Sequence, residues 1–144
     1  MRAYIDTNVL LDQLISSRPD NDYAQTIFQM GRNGLIELFL STQSIIDAAN
    51  ISKREYHLDG SIFRAAIQSL SGFVNIHAIG IREMTNALKW AGEDLEDNAQ
   101  GALADSTCCH IIISNDKDFF ADPDYQDIPV YTPQRFVETI KALY

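Results

Sequence analysis

Only two cysteines occur in the 144 residues, and they are adjacent, Cys108 and Cys109. Neighbouring thiols cannot close a loop, which excludes a disulfide framework, and a pair alone does not make a cysteine zinc site. Both read as buried small hydrophobes. No apolar run exceeds four residues, far short of the roughly 20 that a membrane-crossing helix needs. The opening Met1-Arg2-Ala3-Tyr4-Ile5-Asp6 reaches an aspartate before a signal-peptide core forms, so a cytoplasmic location is expected. Seven glycines and four prolines fall singly, with no repeat, low-complexity tract or linker. The expectation is a single domain over residues 1–144. Bases are scarce as well: 11 against 20 acids, a net charge of −9. That balance excludes nucleic-acid binding by phosphate neutralisation alone.

Hydrophobic residues make up 46% and charged residues 22%, the balance of an ordinary globular domain. The acids are unevenly spread. Ten of the 20 (Glu93, Asp94, Glu96, Asp97, Asp105, Asp116, Asp118, Asp122, Asp124 and Asp127) share a stretch in which Lys117 is the only base. One reading is a solvated acidic face. The other is a site where carboxylates converge and a divalent cation cancels their repulsion. Composition does not choose between them.

Apolar periodicity and punctuation place strands at Arg2 to Ile5, Leu38 to Leu40, Val74 to Ile79, Ile111 to Ile113 and Val130-Tyr131. Helices are expected over Val9 to Ile15, Asp20 to Met30 (stopped by Gly31 or Gly34), Thr42 to Tyr56, Gly60 to Leu70, Arg82 to Trp90, Asp97 to Cys108 and Pro133 to Tyr144. Ser41 or Thr42 suits the cap of the third helix and Pro133 the first turn of the last. Strands alternating with helices predict an α/β fold with a parallel sheet covered on both faces. Ligands of such sheets gather beyond the carboxyl ends of the strands. Asp6 follows the first strand directly, Asp116 lies three residues past Ile113, and Asp47 and Asp97 fall in or at the start of helices that can lean over the same edge.

These residues resemble the PIN domains, metal-dependent nucleases with a compact three-layer α/β/α fold and a short, mostly parallel sheet. Tyr4-Ile5-Asp6-Thr7-Asn8-Val9-Leu10-Leu11-Asp12 is similar to the first acidic motif of that family. Asp47, in Ser44-Ile45-Ile46-Asp47-Ala48, stands where the family has its second acid, more commonly Glu. Asp94-Leu95-Glu96-Asp97-Asn98-Ala99-Gln100 resembles the third motif, with Asp97 the better match for the metal-directed acid and Asp94 the second. Ile112-Ile113-Ser114-Asn115-Asp116-Lys117-Asp118-Phe119 resembles the fourth. Four motifs in order, with family-like spacing, cover nearly the whole chain.

The resemblance implies catalysis by Asp6, Asp47, Asp97 and Asp116, with Asp6, Asp97 and Asp116 holding Mg2+ or Mn2+. Oxygen-only donors independently suit these hard cations, and the scattered His57, His77 and His110 do not suggest a zinc site. Asn8 is expected to orient a water or substrate, or to satisfy the turn. Ser114 is expected to position Asp116 or a metal-bound water, or to be a plain strand-end hydroxyl. Asp118 is an auxiliary ligand or a turn residue. Asp6 competes for an N-cap role that Thr7 or Asn8 could also fill, and Asp12 is expected as a structural or solvated residue. Lys117, Arg18, Lys53 and Arg54 are the bases available to phosphates.

The function implied is a metal-dependent endoribonuclease of the VapC-like kind, the toxin half of a prokaryotic toxin–antitoxin pair. RNA is then the substrate, an antitoxin protein and a second copy of the chain are the partners, and no membrane is involved. The alternatives are a catalytically inactive PIN-like RNA- or protein-binding domain and a non-toxin RNA-processing nuclease. A signalling receiver is excluded, because Asp6 has no acidic neighbour and no lysine follows Val130-Tyr131.

Overall fold

In the computed structural model, which describes residues 1–90, 94–116 and 127–143, strands and helices alternate along the chain. They run β1 (Arg2–Ile5), α1 (Thr7–Leu14), α2 (Asn21–Arg32), β2 (Glu37–Ser41), α3 (Thr42–Tyr56), α4 (Gly60–Leu70), β3 (Val74–His77), α5 (Ile81–Lys89), α6 (Leu95–Ser106), β4 (Ile111–Ile113), β5 (Val130–Tyr131) and α7 (Pro133–Leu143). The sheet order is β3-β2-β1-β4-β5, with every pair parallel. Among the described helices none is long and apolar enough to cross a membrane.

Alternation along the central strands sorts their side chains into two layers. Ala3 and Ile5, Leu38 and Leu40, and Ile111 and Ile113 join α1, α2, α3, α4 and α7 in the larger core. Tyr4, Phe39 and Ile112 face Leu103 and Ala104 of α6 in the smaller one. Central strands buried on both faces explain why the β-branched run Ile111 to Ile113 carries no polar residue. The α/β/α expectation holds.

Several boundaries move for identifiable reasons. The first helix begins at Thr7 rather than Val9, because Oδ1 of Asp6 accepts the Thr7 N–H at 2.7 Å and serves as its N-cap. Similarly, α6 begins at Leu95 rather than Asp97, since the Asp94 carboxylate caps it by accepting the Asp97 N–H at 3.1 Å. It ends at Ser106, two residues before Cys108, whose φ of 57° is left-handed. Of the residues expected to stop α2, Gly31 lies inside the helix. A Cβ there would stand 2.5 Å from Cδ1 of Leu38, so the glycine permits close helix-to-strand approach; Gly34, at φ +76°, makes the turn. Only one thiol behaves as expected: Cys109 is buried, whereas Cys108 is exposed.

Candidate active site

The carboxyl ends of β1, β2 and β4 meet along one rim, and short polar side chains fix their geometry there. The Asp6 N–H donates to the Ile113 carbonyl at 3.1 Å and the Ser114 N–H to that of Tyr131 at 2.9 Å, so strand pairing extends one residue into the site. Ser114 Oγ then donates to Oδ2 of Asp6 at 2.8 Å and accepts the Asp116 N–H at 3.0 Å. At the end of β2, Ser41 caps α3 by accepting the Ser44 N–H at 2.9 Å. Ser44 Oγ in turn lies 2.7 Å from Thr7 Oγ1 and donates to Oε1 of Gln100 at 3.4 Å. Asp116 and Tyr131 are half-buried; the other residues in this chain of contacts are buried.

Above this floor opens a cleft of about 390 Å³, lined by Asp6, Thr7, Asn8, Asp47, Asn50, Ile51, Arg54, Asp94, Glu96, Asp97 and Asp116. The four acids expected to converge do line one cleft, with Asn8 and Asp94 beside them. On α3 the contributors are residues 47, 50, 51 and 54, spaced to share one helical face. Among the described residues, however, no three His, Cys, Asp or Glu side chains are gathered closely enough to enclose a metal ion. Asp118 and Lys117 lie outside the described residues.

Crowding and burial set the charge state. Burial pushes the Asp97 carboxyl up to about 8, with Asp116, Asp94, Asp6 and Glu96 adding repulsion. Its Oδ2 is buried and, among the described residues, accepts no hydrogen bond. For Asp6 burial again dominates and raises the carboxyl to about 6, although hydrogen bonds from Ser114 and the Thr7 N–H pull the other way. Glu96 is raised to about 7 by burial and then by the charge of Asp47. Its place in the cleft was not singled out in the sequence, where it reads as one more acid of a run. The usable signal is its position in the first turn of a helix whose next residue is Asp97.

Other expected residues have different work. Asp12 is buried and structural: Oδ1 accepts from Arg18 Nε at 2.6 Å and Oδ2 from Asn115 Nδ2 at 2.7 Å. Arg18 is thereby withdrawn from phosphate binding; its guanidinium also donates to Tyr56 Oη at 2.8 Å. Lys53 is exposed and does not line the cleft, while Arg54 does. Asp105 faces solvent.

Residues 2–118 match the PIN domain family. The chain belongs to that family. Ribonuclease VapC1 of Aquifex aeolicus is 25% identical over 147 residues, covering 99% of this chain and 97% of the relative. Among solved structures, Mycobacterium tuberculosis VapC20, described as a sarcin-ricin loop cleaving toxin, superposes with a TM-score of 0.67 at 14% identity over 83% of this chain and 93% of its own. VapBC-1 of nontypeable Haemophilus influenzae gives a TM-score of 0.64 at 17% identity over 93% and 99%. At these identities the structural likeness establishes the PIN fold. The candidate active site rests on the cleft itself.

The donor set fits a hard divalent cation. Among the described residues all the titratable donors are carboxylates, and a buried carboxylate oxygen without a hydrogen-bond donor needs a cation or a proton to offset its desolvation.

Proposed function

We propose that this PIN domain is a Mg2+- or Mn2+-dependent endoribonuclease and the toxin member of a toxin–antitoxin pair. The observation that carries the reading is Oδ2 of Asp97, buried and without a donor among the described residues, in a cleft to which those residues contribute six carboxylates. Asp6, Asp97 and Asp116 would hold the ion. When bound, a divalent ion supplies Lewis-acid polarisation of the phosphodiester and lowers the pKa of a coordinated water.

The residues of the chain prepare the remaining steps. Ser114 fixes Asp6 and the backbone of Asp116 together, and Asp94 fixes the first turn that carries Asp97. Glu96, whose carboxyl burial and the charge of Asp47 raise, lines the cleft where it can take or return a proton. The guanidinium of Arg54 answers phosphate charge at the cleft wall; its ion pair with Glu55 is exposed and long, at 3.8 Å, and costs little to give up. The net charge of −9 is compatible with RNA binding because the ion and Arg54 supply positive charge where phosphate sits.

The toxin assignment draws on the similar structures, which include a VapC toxin, VapBC complexes and a toxin–antitoxin complex. An antitoxin presenting an arginine or lysine to the carboxylates would block the cleft by replacing the cation. Pairing of two copies belongs to the same reading. The test is a mixed RNA pool treated with Mg2+, Mn2+ or chelator, beside growth of cells expressing the protein with and without its genomic neighbour. Metal-dependent RNA cleavage with growth arrest relieved by the neighbour is expected. Cleavage without arrest would make it an RNA-processing nuclease, and no cleavage in either metal would leave a binding domain.

A further inference from the structure

A second pocket of about 360 Å³ opens between α3, α5 and α6, and Asp47 and Glu96 form part of the wall of both this pocket and the acid cleft. We propose that it seats the nucleobase adjoining the scissile phosphate. The proposal rests on the nuclease reading and adds the part of the nucleotide that the carboxylates do not address.

Its chemistry differs from that of its neighbour. Ile79, Met84, Leu95 and Ala99 give it apolar walls, Gln43 contributes a neutral amide at its edge, and Ser41, Ser44 and Gln100 form a floor whose hydroxyls and amide are hydrogen-bonded to one another. A base has two apolar faces and an edge of donors and acceptors, so both parts of this lining have a counterpart. Phosphate has none here, since among the described residues no Lys or Arg lines the pocket. The volume lies within the range of small-ligand pockets.

Helix α3 also sets an order along the substrate. Gln43 borders the pocket, Asp47 stands at the shared wall, and Arg54 lies in the acid cleft beyond it. Eleven residues separate Gln43 from Arg54, about 16 Å at 1.5 Å per residue. Base, carboxylates and phosphate-binding guanidinium thus follow one another along a single rigid element. The amide nitrogen of Gln43 donates to Oδ1 of Asp47 at 2.9 Å, which leaves its carbonyl oxygen to meet a base edge.

Met84 provides a direct probe, because the chain has only three methionines, with Met1 at the N-terminus and Met30 packed against the larger core. Carbon-13 methyl spectra of the metal-free protein are followed while adenosine, guanosine, cytidine, uridine or ribose is added. Uncharged nucleosides avoid repulsion by the acids. At least one nucleoside should shift the Met84 signal saturably, with ribose inert and Met30 unmoved. A response to ribose as large as to the nucleosides, or silence to all four, overturns the proposal; a pocket built for a protein segment would give that silence. In the cleavage assay, Met84→Ala should raise KM roughly tenfold, within the range for lost apolar contacts, with kcat unchanged. Removing the base next to the cleaved bond should abolish the difference between parent and variant. A difference that persists on the abasic substrate also overturns the proposal. Absence of RNA cleavage by the parent would count separately, against the nuclease reading.

Discussion

Ser114 Oγ donates a 2.8 Å hydrogen bond to Oδ2 of Asp6, joining residues 108 positions apart at the ends of two neighbouring strands. The same hydroxyl accepts the Asp116 N–H, so one fully buried atom sets the separation of two acids. Ser114→Ala should therefore reduce RNA cleavage by about 10–100-fold, as expected when a residue supporting a metal ligand is lost. The deficit should appear in kcat and shrink when Mn2+ is raised. Single-turnover rates across a metal series check this; an unaltered rate would mean that the Thr7 N–H and Gln100 hold Asp6 without Ser114.

Stability should depend on pH in an unusual direction. In the unfolded chain Asp titrates near about 3.9, whereas folding raises Asp97 to about 8, Glu96 to about 7 and Asp6 to about 6. Between these limits the folded state binds more protons than the unfolded one, so stability falls as pH rises from about 4 to 8. Asp97→Asn should flatten that fall. At pH 8 and without metal it should melt roughly 2–8 °C above the parent, the effect of about 1–2 kcal/mol. Thermal melts in chelator from pH 5 to 8.5 test both statements.

Arg54 and Lys53 are adjacent in sequence but not equivalent, since only Arg54 lines the cleft. Arg54→Ala should raise KM for RNA by roughly tenfold and lower the salt dependence of binding by about one phosphate contact. Lys53→Ala should do neither. Binding isotherms at several salt concentrations separate the two, and equal effects would place Arg54 on a merely general electrostatic surface.

Arg18 supports the fold. Its pair with Asp12, at 2.6 Å, has the carboxylate buried and the guanidinium mostly so. Arg18→Met should cost about 3 kcal/mol, the lower end for breaking a buried pair, because it strands the Asp12 charge. Denaturant unfolding at neutral pH measures this cost. A smaller loss would show that Asn115 alone satisfies Asp12.

Much of this arrangement is legible in the sequence, for physical reasons that differ by residue. Asp6 and Asp116 follow strands whose apolar character is unmistakable, and a parallel sheet brings such ends to one rim. Asp97 was legible through its motif. Glu96 was not, because its orientation into the cleft follows from how α6 packs and from Asp94 starting that helix early. The fate of Arg18 was hidden as well: a long side chain reaches whatever buried acid the fold supplies, and Asp12 gives no sign of burial in sequence. Cys108 was misjudged because a single left-handed residue ends the helical path and turns its side chain outward. Gly31 looked like a helix stop and proved to be a packing contact, a distinction that only the approach of Leu38 reveals.

Calorimetric titration of Mn2+ into metal-free protein at pH 7.5 measures whether Asp6, Asp97 and Asp116 together hold a divalent cation. Saturable binding with proton release is expected, since raised carboxyls must ionise to ligate. Asp97→Asn should weaken that binding by more than about 100-fold, beyond the upper end for residues that only support a ligand. Mn2+ binding equal in parent and variant, or no binding by the parent, would contradict cation binding by these three acids.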